Sequence, residues 1–284
     1  MMALRQKRSS DRFSRSLSGV FLPVLLVWVG CTAQSSVSNH YLTAEKLWSE
    51  KNYPAAVAEF ERVVKESPES AIGLQALWRA SMTQALFLNE PQKALKGFEL
   101  FIQRAANSEL APQALLEMGE ILFSRLNQYA RAIEHYEKLI ESPGFPEEDK
   151  ALFHYRVARG HFHLQRIRKS IEWYEKMMAR FPNSSWIPRA MSDLGSAWYA
   201  LGDQERAAFS KALKIFQDLK ARTRGRQHRV FVEAVFNEAS TLEELDKLEE
   251  AHDLFKTIEN DYPAPNVIKI RMVRLSERMK KKRK

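Results

Sequence analysis

Four small residues, Ala56, Ala94, Ala132 and Ser170, stand at successive intervals of 38 residues. Each comes four residues before an aromatic ring, at Phe60, Phe98, Tyr136 and Tyr174, and seven before an apolar side chain, at Val63, Phe101, Leu139 and Met177. Ala251, Phe255 and Ile258 repeat the triplet further on. Offsets of four and seven fall on one face of an α-helix. Pro68, Pro143, Pro182 and Pro263 follow the triplets and mark helix ends, because proline cannot continue a helix. A fixed long period excludes a single irregular core and calls for stacked units, each burying a face on its neighbour. Another copy lies between Ser170 and Ala251, where Leu194, Gly195, Trp198 and Gly202 mark a first helix. Its second helix can be read from Ala207 or from Ala212, which implies an extended turn or a lengthened helix.

Paired helices with small residues, an aromatic and a terminal proline in this register resemble the tetratricopeptide repeat (TPR). The expected fold is all-α, a TPR-like solenoid of about six helix-turn-helix units over residues 41–266. The resemblance implies a concave groove lined by fixed positions of each first helix. These positions are Tyr41 and Trp48 in the first unit, Arg79 and Phe87 in the second, Tyr155, Arg159, Phe162 and His163 in the fourth, and Tyr199 in the fifth. Arg79, Phe87, Tyr155, Arg159, Phe162 and Tyr199 are the candidate partner-binding residues, since exposed aromatics and arginines are hot-spot chemistry. The repeat aromatics Phe60, Phe98, Tyr136, Tyr174 and Phe255 are expected in the core.

Composition narrows the chemistry. One cysteine in 284 residues excludes an intrachain disulfide and a zinc site built on several thiolates. The net charge of +9 is not spread along the chain. Residues 1–19 carry +5 − 1 = +4 and residues 267–284 carry +9 − 1 = +8, leaving 9 − 4 − 8 = −3 on residues 20–266. A nucleic-acid groove needs positive charge along the folded surface, so nucleic acid is not an expected partner.

The basic start is followed by an 11-residue apolar run, Val20 to Gly30, too short to span a bilayer as a helix. A basic segment, a short apolar segment and a small residue form an export-signal pattern. The run ends at Gly30-Cys31, and Cys31 is the lone cysteine. Val29, Gly30 and Cys31 resemble a bacterial lipobox, with Trp28 where leucine is usual. That resemblance implies cleavage before Cys31 and acylation of its thiol and amine, hence a membrane contact through a lipid anchor. Thr32 after the cysteine implies sorting to the outer membrane, facing the periplasm. The expected organisation is a signal peptide over 1–30, a polar tether over 31–40, the solenoid over 41–266 and a basic C-terminal helix or tail over 267–284.

Catalytic patterns are absent from the sequence: there is no G-x-S-x-G, no H-E-x-x-H and no Gly-rich phosphate loop. His154, His161 and His163 share one first helix with several arginines, which reads as a solvated face with one semi-buried histidine rather than a metal site. Glu147, Glu148 and Asp149 suit a helix N-terminus. A basic cluster of Lys220, Arg222, Arg224, Arg226 and Arg229 is expected in a loop between the fifth and sixth units. No enzyme activity, cofactor, metal or small-molecule substrate is implied. Stacked repeats without a catalytic constellation point to a scaffold for protein partners. Export signal, lipobox and long-period repeats together resemble the BamD-type lipoproteins of outer-membrane β-barrel assembly, from which the sixth unit and basic tail depart. The alternative is a periplasmic TPR protein of the Tol–Pal or cell-division type, or another envelope or secretion adaptor. The co-chaperone type of TPR is disfavoured, because Tyr41 and Glu45 stand where its clamp needs lysine and asparagine. Cys31→Ser is expected to leave an unprocessed precursor or to release the protein from the membrane fraction. A wild-type protein that takes up no fatty-acid probe in a bacterial host would rule the anchor out.

Overall fold

The computed structural model describes the backbone of residues 27–225 and 228–283, and side chains from Ser36 onward within those spans. The first 26 residues of the expected signal segment lie outside the described residues, as do Arg226 and the side chain of Cys31. The described chain is helical throughout, with no strand among the described residues. The helices pair in order: α1 (Val27–Ser49) with α2 (Tyr53–Glu66), α3 (Ala71–Leu86) with α4 (Pro91–Ala105), and α5 (Ala111–Glu120) with α6 (Tyr129–Glu141). They continue as α7 (Glu147–His163) with α8 (Ile167–Arg180), α9 (Ile187–Leu201) with α10 (Ala207–Thr223), and α11 (His228–Glu244) with α12 (Leu248–Thr257). A last helix, α13 (Pro265–Lys282), closes the array. Each helix packs mainly on its chain neighbours, so the fold is the expected solenoid of six helix pairs.

Close approach inside each pair explains the sequence register. Phe60, Phe98, Tyr136, Tyr174 and Phe255 are all buried, as are the small residues four before them. On the facing first helix the space is taken up completely. A Cβ on Gly119 would lie 2.7 Å from the Tyr136 ring, and one on Gly195 would lie 2.5 Å from Phe216. Glycine stands there because no larger residue leaves room for the ring.

The turns inside the pairs repeat the period independently. Lys51, Asn89, Asn127 and Gln165 all have positive φ, between 51° and 63°, and they too stand 38 residues apart. Asp246 does the same in the sixth unit. A left-handed residue at a helix end lets the next N–H turn back onto the helix. Asn52, Arg166 and Lys247 donate to Leu47, His161 and Leu242 oxygens at 2.9 Å, which is the Schellman closure. In the second and third units the returning bond spans one residue more, from Glu90 to Gln84 and from Gln128 to Leu122. In the third unit a π-helical turn, Ile121–Arg125, absorbs that extra residue.

The fifth unit resolves its ambiguity as a lengthened helix. α10 runs for 17 residues and begins at Ala207, yet its core pair is Ala212 with Phe216. This pair of helices has no left-handed turn residue; Gly202 instead lies against Phe209. Two boundaries differ from expectation. The residues read as a tether, 31–40, are helical and continuous with α1. Val37 is buried in the first-unit core and His40 Nδ1 lies 2.6 Å from Glu59, so packing extends the first helix back past residue 41. The basic cluster read as a loop is mostly helix: Lys220 and Arg222 sit in the last turns of α10 and Arg229 in the first turn of α11. The longer α10 consumes the residues that a shorter helix would have left in the connection.

Gly119→Val is expected to cost about 1–3 kcal/mol by driving a side chain into the Tyr136 ring. Contacts are between neighbouring helices, so hydrogen exchange should rise in the second to fourth units and little elsewhere. Uniform loosening along the whole chain would contradict a solenoid.

Candidate functional site on the first-helix face

First helices line one side of the stack, and their seams carry the polar chemistry. Between α7 and α9 a cleft of about 110 Å³ is lined by Arg159, Phe162, His163, Tyr174, Asp193 and Ser196. Across α9, a second cleft of about 190 Å³ is lined by Ser196, Tyr199, Phe216, Phe236, Asn237, Ser240 and Arg271. Ser196 borders both, so they are adjoining parts of one surface. Both are smaller than the roughly 300–1,000 Å³ of a small-molecule pocket. They suit side chains of an elongated partner better than a cofactor.

Asp193 organises the α7–α9 seam. Its Oδ2 accepts from the Tyr155 hydroxyl at 2.8 Å and from the Tyr174 hydroxyl at 3.4 Å, and lies 3.5 Å from Arg159 Nε. Arg189 Nε in turn donates to the Tyr155 oxygen at 2.9 Å. Burial, reinforced by the nearby carboxylate, pushes the Tyr155 phenol up to about 12 and raises Tyr174 further. Both phenols therefore remain protonated donors at neutral pH. A hydrogen bond to a charged acceptor contributes about 1.5–3 kcal/mol. The half-exposed Arg159–Asp193 ion pair adds only about 0–1 kcal/mol.

This arrangement corrects one expectation. Tyr155 is not a groove residue: it is 1% exposed, with its ring stacked on Trp186 at 5.2 Å. Tyr155 and Arg159 do share a helix face, but that face is tilted into the α9 seam, so the earlier residue is buried. Arg159 and Phe162 are half-buried and line the cleft, and Tyr199 lines the next one, donating to Glu244 at 3.2 Å. Arg79 and Phe87 lie apart from these, in the first two units. Arg79 forms two hydrogen bonds with the Glu45 carboxylate, at 2.6 and 2.7 Å, and covers the Trp48 ring at 4.5 Å. Phe87 is 47% exposed and stacks on Tyr53 of the preceding unit at 4.4 Å.

Sequence reading missed the acids that bind these groups. Glu45 with Arg79, Glu120 with Arg156, Asp193 with Tyr155 and Arg159, Glu244 with Tyr199, and Glu243 with Arg271 and Arg278 each join one first helix to the next. Their sequence separations vary, so no periodic signal announces them. Asn237 was also missed; its side-chain amide makes no hydrogen bond among the described residues, and it lines the second cleft.

The histidines differ from expectation as well. His154 and His161 are both buried, while His163 is exposed and stacked on Tyr129 at 4.3 Å. His154 Nδ1 lies 2.8 Å from the Lys150 oxygen, and its ring meets Trp173 and Phe181 edge-on. No group of three His, Cys, Asp or Glu side chains arranged for a metal occurs among the described residues. In the basic cluster, Lys220 Nζ lies 2.6 Å from the buried Glu238 carboxylate, Arg222 donates to the Pro182 oxygen, and Arg229 pairs with Glu233.

The tetratricopeptide-repeat family profile matches residues 121–185, from the π-helical turn of the third unit through the fourth. The chain folds as a TPR-like helical solenoid. Among solved structures, PilW, described as a widely conserved type IV pilus biogenesis factor, aligns over 80% of this chain and 94% of its own, with a TM-score of 0.52 and 15% identity. PilF of Pseudomonas aeruginosa aligns over 87% of this chain and 99% of its own, with a TM-score of 0.50 and 13% identity. The apo form of RapI aligns over 88% and 77%, with a TM-score of 0.53 and 11% identity. At these identities the likeness is one of fold. No curated protein matches the chain in sequence. The matched repeats are those of a protein-interaction scaffold.

The buried histidines make a pH prediction. Burial holds His135, His154 and His161 below the ordinary imidazole value. The unfolded chain takes up these protons near pH 6.5, roughly the free histidine value, while the folded chain resists them. Their contribution is therefore complete above about pH 6.5 and is lost as pH falls toward the lower folded values. The thermal midpoint should drop on acidification through that window. His154→Phe, which keeps the ring contacts and cannot ionise, should flatten part of the drop. A midpoint that is flat across the window in the wild type would refute this account.

Proposed function

We propose that the protein is a cell-envelope scaffold that holds a partner protein segment along the α7–α9–α11 face while Cys31 carries a lipid anchor. The observation that carries the binding surface is the pair of adjoining clefts: Arg159 and Phe162 on one side of Ser196, Tyr199 and the unpartnered Asn237 amide on the other. Aromatic rings offer area, the guanidinium offers a charged donor, and Asn237 offers both a donor and an acceptor for a peptide backbone. The Asp193 hub holds Arg159 in place, which lowers the ordering cost of binding.

Support for the envelope comes from the export pattern and the lone cysteine at its end. PilW, which has a similar fold, is described as a pilus biogenesis factor, so a solenoid of this kind serves envelope assembly elsewhere. Within that class, the reading by resemblance is a BamD-type role in outer-membrane β-barrel assembly, at the periplasmic face of the outer membrane. An adaptor in the Tol–Pal system, or in pilus or secretion assembly, is the alternative, and the identity of the captured partner separates them.

Affinity capture from solubilised membranes, with partners identified by mass spectrometry, tests the reading. Arg159→Ala and Asn237→Ala should each weaken recovery of the same partner by about 1–3 kcal/mol, the cost of losing a hot-spot side chain. Far-UV circular dichroism should stay native. Arg79→Ala, in the distant first seam, should leave recovery unchanged. Equal recovery by wild type, Arg159→Ala and Asn237→Ala would remove the binding surface from this face.

A further inference from the structure

The closing helix is amphipathic on both sides. Ile268 and Leu275 are fully buried, and Met272 and Met279 pack beside them, so this face is satisfied by the sixth unit. The opposite face carries Val267, Ile270 and Val273, exposed by 42%, 61% and 59%. These are three of the six large apolar side chains that stand exposed among the described residues, and their spacing of three puts them on one side of the helix.

Charge is arranged around that stripe in the same asymmetric way. Arg271, Arg278, Lys282 and Arg283 turn back onto the body, pairing with Glu243, Asp246 and Glu249. Lys269, Arg274, Lys280 and Lys281 are exposed and have no acidic partner among the described residues. Glu277 is the one acid in the helix sequence. The basic surplus thus lies on a terminal helix of a body that otherwise carries −3 over residues 20–266.

The geometry points to α13 as a docking surface for an anionic phospholipid bilayer, with Val267, Ile270 and Val273 entering the acyl boundary and Lys269, Arg274, Lys280 and Lys281 on the headgroups. A basic helix with an exposed aliphatic stripe lies in the plane of a charged membrane by this division of labour. Nucleic acid offers phosphates but gives aliphatic side chains nothing to enter, and no aromatic ring accompanies these cations on α13 to stack on bases. The contact is independent of the groove between the first helices and of any acyl chain on Cys31.

Vesicle co-sedimentation tests it with the purified mature chain, residues 31–284 carrying Cys31→Ser, so that neither the basic, apolar segment 1–30 nor a lipid anchor contributes. The probes are vesicles of phosphatidylcholine alone and of phosphatidylcholine with phosphatidylglycerol, each at low and high salt. Binding should favour the anionic vesicles and fall with salt, because headgroup attraction is screened within a Debye length. Lys269→Gln/Arg274→Gln/Lys281→Gln should lose about a hundredfold in partitioning, at roughly fivefold per cation. Ile270→Ser should lose about threefold to tenfold, and that loss should persist at high salt because it comes from apolar burial. Circular dichroism confirms that both variants keep the native helix content. Equal partitioning to the two vesicle types, an unaffected triple variant, or an Ile270→Ser variant that binds like wild type would each overturn the assignment. So would tighter binding to polyglutamate or duplex DNA than to the anionic vesicles, which would make α13 a polyanion site instead.

Discussion

Every unit of this solenoid depends on a ring pressed against a residue too small to hold it off. Tyr136 over Gly119 and Phe216 over Gly195 show the contact, and the buried Ala56, Ala94, Ala132 and Ser170 set the same spacing along the second helices. Interiors are close-packed, so this spacing fixes how near the two helices of a pair lie. That distance sets the angle at which the next pair can stack. The first-helix face, with its clefts, is a consequence of that stacking. No feature of the candidate site holds together without the glycine and alanine beneath it.

The polar links between first helices are a second layer laid on the first. Each joins neighbouring units, and each draws an arginine or tyrosine out of solvent onto an acid. They consume most of the groups that a sequence reading would offer to a partner. Arg79 is held by Glu45, Tyr155 is buried against Asp193, and Tyr199 is bonded to Glu244. What remains for binding is narrower: the edge of Arg159, the rings of Phe162 and Tyr199 and the amide of Asn237.

The repeat architecture was legible because it rests on residue types that nothing else can replace at those places. The 38-residue phase, the six pairs and the core aromatics all follow from small residues and rings in register. Tyr155 was misplaced because helical spacing tells which residues share a face, and not how far that face is rotated into its neighbour. Asp193 and Asn237 went unseen because an acid or amide on a polar helix surface looks the same whether it spans a seam or meets water. The two buried histidines were hidden by the arginines beside them in sequence, of which Arg156 pairs with Glu120 and Arg159 with Asp193. The early start of α1 was masked by the polar composition of residues 32–39, whose one decisive side chain is Val37.

The left-handed residues in the turns carry a further implication. Lys51, Asn89, Asn127, Gln165 and Asp246 each end a first helix at a defined peptide and aim the chain into the second. In five of the six units the path into the second helix is therefore set at one defined peptide, rather than accumulated along the array. After the lengthened α10 it is Gly225, at φ 71°, that turns the chain toward the following unit. Length errors stay where they arise, which allows this chain to vary its connections unit by unit while keeping one continuous face for a partner.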